Sequence, residues 1–173
     1  MTTTKQSWLK RSLAVLLAVM MVMSMGVANV FAAGTDEVNI PDSNLKAAIN
    51  RQLAKQTGSQ RADDAAVTED DMASLTELVA EDAGITDLTG LDKAVNLETL
   101  DLSGNELSMS SPFETLAFIT GLTSLDLSNN HFTGKLLCAL EMNSLEILDL
   151  SGNRINAIEL GNVTFPNLEK IDL

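Results

Sequence analysis

The chain has 173 residues and a formal net charge of −13 at pH 7, with 24 acidic and 11 basic residues. This excess of negative charge repels nucleic acid and anionic lipid surfaces, so the sequence predicts no nucleic-acid partner. The single cysteine, Cys138, rules out an intramolecular disulfide bond, so the stability of the fold must come from an apolar core.

The N-terminal segment predicts a secretory signal. Basic residues at positions 5, 10 and 11 precede an unbroken apolar run over 13–23, and residues 30–32 place small side chains at the −3 and −1 positions of a cleavage site. We therefore expect a signal peptide helix within residues 1–32, cleaved after Ala32, and a secreted or surface-displayed product. Removal of its three basic residues takes the charge from −13 to −16.

An uncleaved membrane anchor is the alternative interpretation of the same segment. Ser24 and Asn29 interrupt the apolar stretch, which is short for a transmembrane helix. Cleavage is therefore preferred, and no membrane insertion is expected after it.

Residues 33–74 predict a small cap, mostly helical between Val38 and Ser74. Leu45, Ile49 and Leu53 recur every four residues, with an alanine at position 48 beside them, which predicts an amphipathic helix with one apolar face. Either Asp42 or the following serine is a suitable N-cap for this helix.

A second helix start lies later in the cap. Thr68 and the acidic residues up to Asp71 form a pattern like a capping box, and they lead into Met72. The loop between the two helices is polar. We expect the two helices to cover the open N-terminal end of the domain that follows.

The rest of the chain, residues 75–173, repeats one phrase whose fixed letters are L-x-x-L-x-L-x-x-N-x-L. Its copies start at Leu75, Leu97, Leu122, Leu145 and Leu168, with spacings of 22, 25, 23 and 23 residues, and the last copy is incomplete. A repeat of this period indicates a solenoid, and the pattern resembles the leucine-rich repeat. The predicted fold is α/β: a leucine-rich repeat solenoid with a short parallel β-sheet, one strand per copy, behind the helical cap.

The leucines and the asparagine have different physical roles. Side chains alternate along a strand, so Leu100 and Leu102 point inward and Asp101 points outward. One copy cannot bury its leucines alone, and only stacked neighbours cover them. From the opposite side of each coil, the interior is filled by Leu107, Phe132 and Ile155.

An asparagine ladder is predicted where each strand ends, at Asn105, Asn130 and Asn153. A buried amide both donates and accepts, so it can satisfy the backbone groups of its own coil and of the following one. Aspartate could accept those bonds and could not donate them. The first copy has Ala80 and Ala83 in place of a leucine and the asparagine, as a terminal copy can.

Three segments sharpen the resemblance: VNIPDSNLKAAI at 38–49, GITDLTGL at 84–91 and LETLDLSGNELS at 97–108. Together they resemble the start of internalin-like surface proteins of Firmicutes. The resemblance implies a signal peptide and a cap before the repeats, with further repeats, immunoglobulin-like modules or a wall anchor after them. This chain has few repeats, shows no sorting motif, and stops before a C-terminal cap, so we expect it to be a fragment of a longer protein.

The outward strand positions form three columns that we predict to be the binding face. The central column contains Val79, Asp101, Asp126, Asp149 and Asp172. One flanking column contains Glu77, Thr99, Ser124, Ile147 and Lys170, and the other contains Glu81, Ser103, Ser128 and Ser151.

The stacked aspartates do not require a cation. At strand spacing, neighbouring carboxylates repel by roughly 0.8 kcal/mol in water, which is tolerable. Calcium takes 6–8 oxygen ligands, and a single file of carboxylates supplies them poorly. We predict no metal and no cofactor.

Catalysis and carbohydrate binding find little support in the sequence. His131 is the only histidine, on a turn where we expect it to be exposed, and Cys138 is interpreted as a core residue. The sequon at 162–164 is interpreted as chance. The mature chain has no tyrosine, and its phenylalanines are predicted to be interior, so a sugar partner is not expected. These phenylalanines are Phe113, Phe118, Phe132 and Phe165.

The sequence therefore favours an exported leucine-rich repeat module for protein–protein interaction at the bacterial cell surface, without catalysis and with an unidentified protein partner. Two alternatives stay open: the non-catalytic N-terminal region of a larger secreted cell-wall enzyme, and a structural spacer.

Overall fold

A computed structural model describes residues 36–108, 115–137, 142–159 and 165–173. The predicted signal peptide, Phe113, Cys138 and the sequon at 162–164 lie outside these residues. Within them, no helix combines the length and the apolar character that a membrane crossing needs. Glu37–Leu173 forms one compact unit.

The first cap helix, α1, spans Ser43–Thr57. Asp42, not Ser43, is its N-cap: its Oδ1 accepts hydrogen bonds from the backbone N–H groups of Asn44 at 2.9 Å and Leu45 at 3.0 Å. The predicted apolar face is confirmed, because the residues at 45, 48, 49 and 53 are all buried. The helix ends at Gly58, whose φ of 67° is left-handed.

The second cap helix, α2, spans Glu69–Ala73 and begins with the predicted capping box. The Thr68 hydroxyl accepts from the Asp71 N–H, and the Asp71 carboxylate accepts from the Thr68 N–H. Met72 is fully buried. The loop before this helix is tied down by Arg61, which donates to both carboxylate oxygens of Asp71 and to the side chain of Asn50.

Five three-residue strands form one parallel sheet in the order β1-β2-β3-β5-β7. The strands are β1 (Glu77–Val79), β2 (Thr99–Asp101), β3 (Ser124–Asp126), β5 (Ile147–Asp149) and β7 (Lys170–Asp172). Pairing is in register, so the middle residue of each strand, from Leu78 through Leu100 to Leu125, stacks on its counterpart in the next coil. The prediction that each copy contributes one strand to this sheet is confirmed.

A second sheet lies after the asparagine in the third and fourth copies. It pairs β4 (Thr133–Leu137) with β6 (Arg154–Glu159) in parallel, with an irregularity after Gly134. The sequence analysis did not predict it. The first coil contains a single 3₁₀ turn at Leu91–Lys93, before the second copy begins.

The core of the solenoid is filled as the repeat predicts. Leu107 and Phe132 are buried, and Ile155 and Phe165 are half-buried against the core. Phe118 corrects the prediction of interior phenylalanines, because it is 66% exposed. Its neighbours Leu116 and Ile119 occupy the buried positions of that short turn instead.

The junction between the cap and the first coil is close. Gly90 has a φ of 95°, and a side chain at this position would stand 2.7 Å from the carbonyl oxygen of Asn39. Only glycine meets both conditions. The close approach places the extended segment before α1 directly against the first coil.

Candidate binding face

The outward columns are in register, as the sequence predicts. Across three strand pairs, Thr99, Ser124, Ile147 and Lys170 follow one another as direct partners, and so do Asp101, Asp126, Asp149 and Asp172. Exposure varies along the face: Lys170, Asp172 and Ile147 are exposed, whereas most of the serines and the other aspartates are half-buried. The binding role of this face stays a prediction.

The aspartates of the central column have a structural role that the sequence analysis missed. The Oδ1 atoms of Asp101, Asp126 and Asp149 accept hydrogen bonds from the backbone N–H two residues later, at 2.9, 2.8 and 2.9 Å. This Asx arrangement holds the turn after each strand. The recurring Asp-x-Ser spacing could have indicated it.

One carboxylate oxygen of each of these aspartates is therefore committed to its own turn. Among the residues that the structure describes, no three His, Cys, Asp or Glu side chains gather where a metal ion could be held.

Ser128 corrects the predicted face. It is only 6% exposed, and its hydroxyl lies 3.5 Å from the side-chain amide of Asn129. Ser103 and Ser151 in the same column are half-buried. This third column thus offers a partner less surface than the other two.

The asparagine ladder is present, and it connects each coil to the preceding one. Asn130 Nδ2 donates to carbonyl oxygens of its own coil, at 127 and 128 (both 3.1 Å), and to Leu102 of the preceding coil (2.9 Å). Its Oδ1 accepts from Leu107 N–H at 3.0 Å. Asn153 repeats the pattern, reaching Leu127 O and Phe132 N–H.

The direction of the ladder corrects the expectation of bonds to the following coil. Asn105 shows why the first copy tolerates an alanine at its asparagine position. Its Oδ1 accepts from the N–H groups of Ala83 and Ile85, and its Nδ2 donates to Ala80 O at 2.8 Å. The second coil thereby satisfies the backbone of the first.

The N-terminal end of the face is strongly acidic. The charge of Asp101 raises the pKa of Glu81, with further contributions from a hydrogen bond between the two carboxyl groups and from Asp82 and Asp126. His131, which follows the ladder, is exposed, as predicted.

Asp42 joins the cap to the first coil. Besides capping α1, its Oδ2 accepts from Thr86 N–H (2.8 Å), Thr86 Oγ1 (3.0 Å) and Asp87 N–H (3.1 Å). Partial burial raises the pKa of Asp42, but the hydrogen bonds from Thr86, Leu45 and Asp87 outweigh burial, and the net pKa is lowered. The carboxylate is therefore favoured over the acid in the folded state.

The repeats match known families. Models described as Leucine Rich Repeat cover residues 96–116 and 121–142, and another described as Leucine Rich repeat covers 141–157. An internalin (inlF) from Listeria monocytogenes superposes on 71% of this chain with a TM-score of 0.55 and 23% identity. The chain has the leucine-rich repeat fold and is similar to internalins in that fold. The predicted resemblance and fold class are both confirmed.

Other similarities agree with this leucine-rich repeat fold. The functional domain of InlJ from Listeria monocytogenes, which includes a cysteine ladder, matches 76% of the chain with a TM-score of 0.56 and 22% identity. The protein BRASSINOSTEROID INSENSITIVE 1 of Arabidopsis thaliana is 42% identical over 74 residues, or 40% of this chain.

The chain spans only part of each of these proteins. It covers 6% of the Arabidopsis protein, 37% of the internalin and 28% of the InlJ domain.

Proposed function

We propose that the chain is an exported leucine-rich repeat module that binds another protein through its outward strand face at the bacterial cell surface, without catalysing a reaction. One observation carries the proposal: a parallel sheet holds two columns of outward residues in strict register. The coils beneath them are fixed by buried leucines and by the asparagine ladder. A rigid surface of this kind binds with little loss of conformational entropy.

The size of the face limits what it can do alone. Five strands at about 4.8 Å spacing give a sheet only about 20 Å wide. A standard protein interface needs about 800 Å² on each partner. A tight complex therefore involves surface on either side of these columns as well.

Export rests on the predicted signal peptide, and the partner is expected to be met outside the cell. Among the residues that could anchor it, Ile147 is the exposed apolar side chain in the middle of the face. Its neighbours across the strands are Ser124 and Lys170.

Site-specific photo-crosslinking tests the proposal. A benzoylphenylalanine at position 147 is expected to give a defined protein adduct in the native host, and Ser124→Trp, which fills the same column, is expected to abolish it. The matched control is the same photo-probe at position 118, which is exposed but outside the columns. Identical adducts at both positions, or no adduct at 147, would contradict a binding role for this face.

A further inference from the structure

A groove of about 410 Å³ lies between α1 and the N-terminal end of the strand face. The helix contributes Arg51, Gln52 and Lys55 to its lining, and the first coil contributes Val79 and Glu81. Alanines from both elements complete the floor. The groove is therefore small, partly apolar, and bordered by charges of both signs.

Gln52 is a polar residue on the buried face of α1. It follows Ala48 by four residues and precedes Leu53 on the buried stripe of α1, a position that ordinarily carries an apolar side chain. The residue is 9% exposed, yet its amide hydrogen-bonds to none of the described residues. Within that part of the chain no fully enclosed polar side-chain atom lacks a partner, so the Gln52 amide must reach open space. The groove is the space that it lines.

Asn50, a second buried amide on the same helix, provides the contrast. Its Nδ2 donates to the carbonyl oxygens of Asp63 and Ala65, both at 3.0 Å, and its Oδ1 accepts from Arg61. The ladder asparagines are satisfied in the same way. An amide that hydrogen-bonds within the chain helps to hold the fold, whereas the Gln52 amide makes no such bond among the described residues and reaches the groove, where it is available to a ligand.

The walls of the groove indicate which ligand. Lys55 has no ion-pair partner among the described residues, whereas Arg51 is paired with Asp63. Val79 is 41% exposed and offers an apolar contact. Glu81 borders the groove on the strand side, where its pKa is raised by the charge of Asp101. A carboxylate of a ligand is thus attracted to Lys55 on the helix side of the groove and repelled by the acidic residues on the strand side.

We propose that this groove binds a short extended segment of a partner protein, in which an aliphatic side chain lies next to a carboxylate. The Gln52 amide donates to and accepts from one backbone peptide group of the segment. The aliphatic side chain packs on Val79 and the alanine floor, and the carboxylate pairs with Lys55. The volume is near the lower end of the range for small-molecule sites, so only a few residues fit. The proposal rests on the proposed function, because it takes the partner to be a protein.

Nuclear magnetic resonance on the full ¹⁵N-labelled chain tests this assignment. The probe is the blocked dipeptide N-acetyl-Leu-Glu-amide, and the matched control is N-acetyl-Leu-Gln-amide. The Leu-Glu probe is expected to shift the side-chain NH₂ signal of Gln52 saturably, and the Leu-Gln probe to bind about threefold more weakly, as the loss of one exposed ion pair implies.

Three variants separate binding from folding. Gln52→Leu is expected to abolish binding while the melting temperature stays the same or rises, since the change removes no hydrogen bond between described residues. Lys55→Gln is expected to reduce binding of Leu-Glu to the level of Leu-Gln. Lys46→Gln removes a cation that pairs with Glu37 and does not line the groove, so it is expected to change nothing.

Absence of a saturable shift, equal binding of the two probes, or undiminished binding by Gln52→Leu would each overturn the assignment. If the groove does not bind the Leu-Glu probe while position 147 still crosslinks to a partner protein, the proposed function stands without this site. If the groove binds and position 147 does not crosslink, the strand-face proposal fails alone.

Discussion

Replacing Asn130 by aspartate is the sharpest test of the ladder, because the change is nearly isosteric. Asn130 is 5% exposed, and its Nδ2 faces three carbonyl oxygens within 3.1 Å. A carboxylate there loses all donors and points negative charge at three acceptors. Protonating it instead, from an ordinary pKa of about 3.9, costs about 4 kcal/mol at pH 7. We therefore expect Asn130→Asp to lower the free energy of unfolding by about 3–4 kcal/mol at neutral pH.

The sign of the pH dependence follows from the same argument. The pKa of the new carboxyl is raised by folding, so its penalty relative to the parent chain is small below about pH 4 and grows as the pH rises above the unfolded value. Urea unfolding at pH 7 and pH 4, followed by circular dichroism, measures both differences. Asn96→Asp is the control, because Asn96 is exposed and, among the described residues, its side chain donates to Ala73 O alone. A penalty below about 1 kcal/mol, one independent of pH, or an equal effect in the control would refute the reasoning.

Three further predictions concern the cap, the junction and the N-terminus. Gly90→Ala is expected to lower the free energy of unfolding by about 3 kcal/mol or more, and Gly58→Ala by roughly 1–2 kcal/mol. Both variants place a side chain on a residue with left-handed φ, but only at position 90 does that side chain collide with backbone. Thermal melts that give equal losses would contradict this. The pKa of Asp42 is lowered by folding, so the carboxylate stabilises the folded state above its unfolded pKa, and this stabilisation is lost as the pH falls through the folded-state pKa. Asp42→Asn should therefore make the melting temperature fall less steeply on the acid side. An unchanged slope would count against the hydrogen bonds described for Asp42. Edman sequencing of the exported product is expected to begin at Ala33, and a product that retains Met1 would rule out signal cleavage.

The strands and columns could be predicted because two periods coincide in the sequence. Alternation within Leu100–Leu102 fixes which side chains face inward, and the recurrence of the phrase fixes which coils stack. Both are local patterns, so they can be recognised without coordinates. The buried middle residues of β1, β2, β3 and β5 follow directly from them, whereas Ile171 in the last strand is 46% exposed.

What could not be predicted depends on contacts between distant parts of the chain. The β4–β6 pairing joins segments about twenty residues apart, and neither segment has a strong strand pattern of its own. Phe118 is exposed because Leu116 and Ile119, three residues apart, take the buried positions of their turn. That spacing is present in the sequence, but the sequence does not show that Leu116 and Ile119 are buried in preference to Phe118. The direction of the ladder likewise required the positions of Leu102 and Leu107 relative to Asn130.

The candidate site shows the same division. The outward columns came from the strand pattern, but the use of Asp101 and Asp126 to hold their turns required hydrogen-bond geometry. The sequence shows Gln52 as a polar residue on the apolar face of a helix. Its role as a candidate binding residue required the structure, in which the amide of Asn50 is hydrogen-bonded and that of Gln52 is not.

The β4–β6 pair also affects how the solenoid bends. A solenoid curves when its two sides have different widths per coil, since broad helices on one side fan the strands apart on the other. Where β4 and β6 pair, both sides of the coil are strands, and both advance by about 4.8 Å. From this spacing we expect little curvature between the third and fourth coils. A protein that spans this stretch is then expected to need a flat contact surface rather than a convex one.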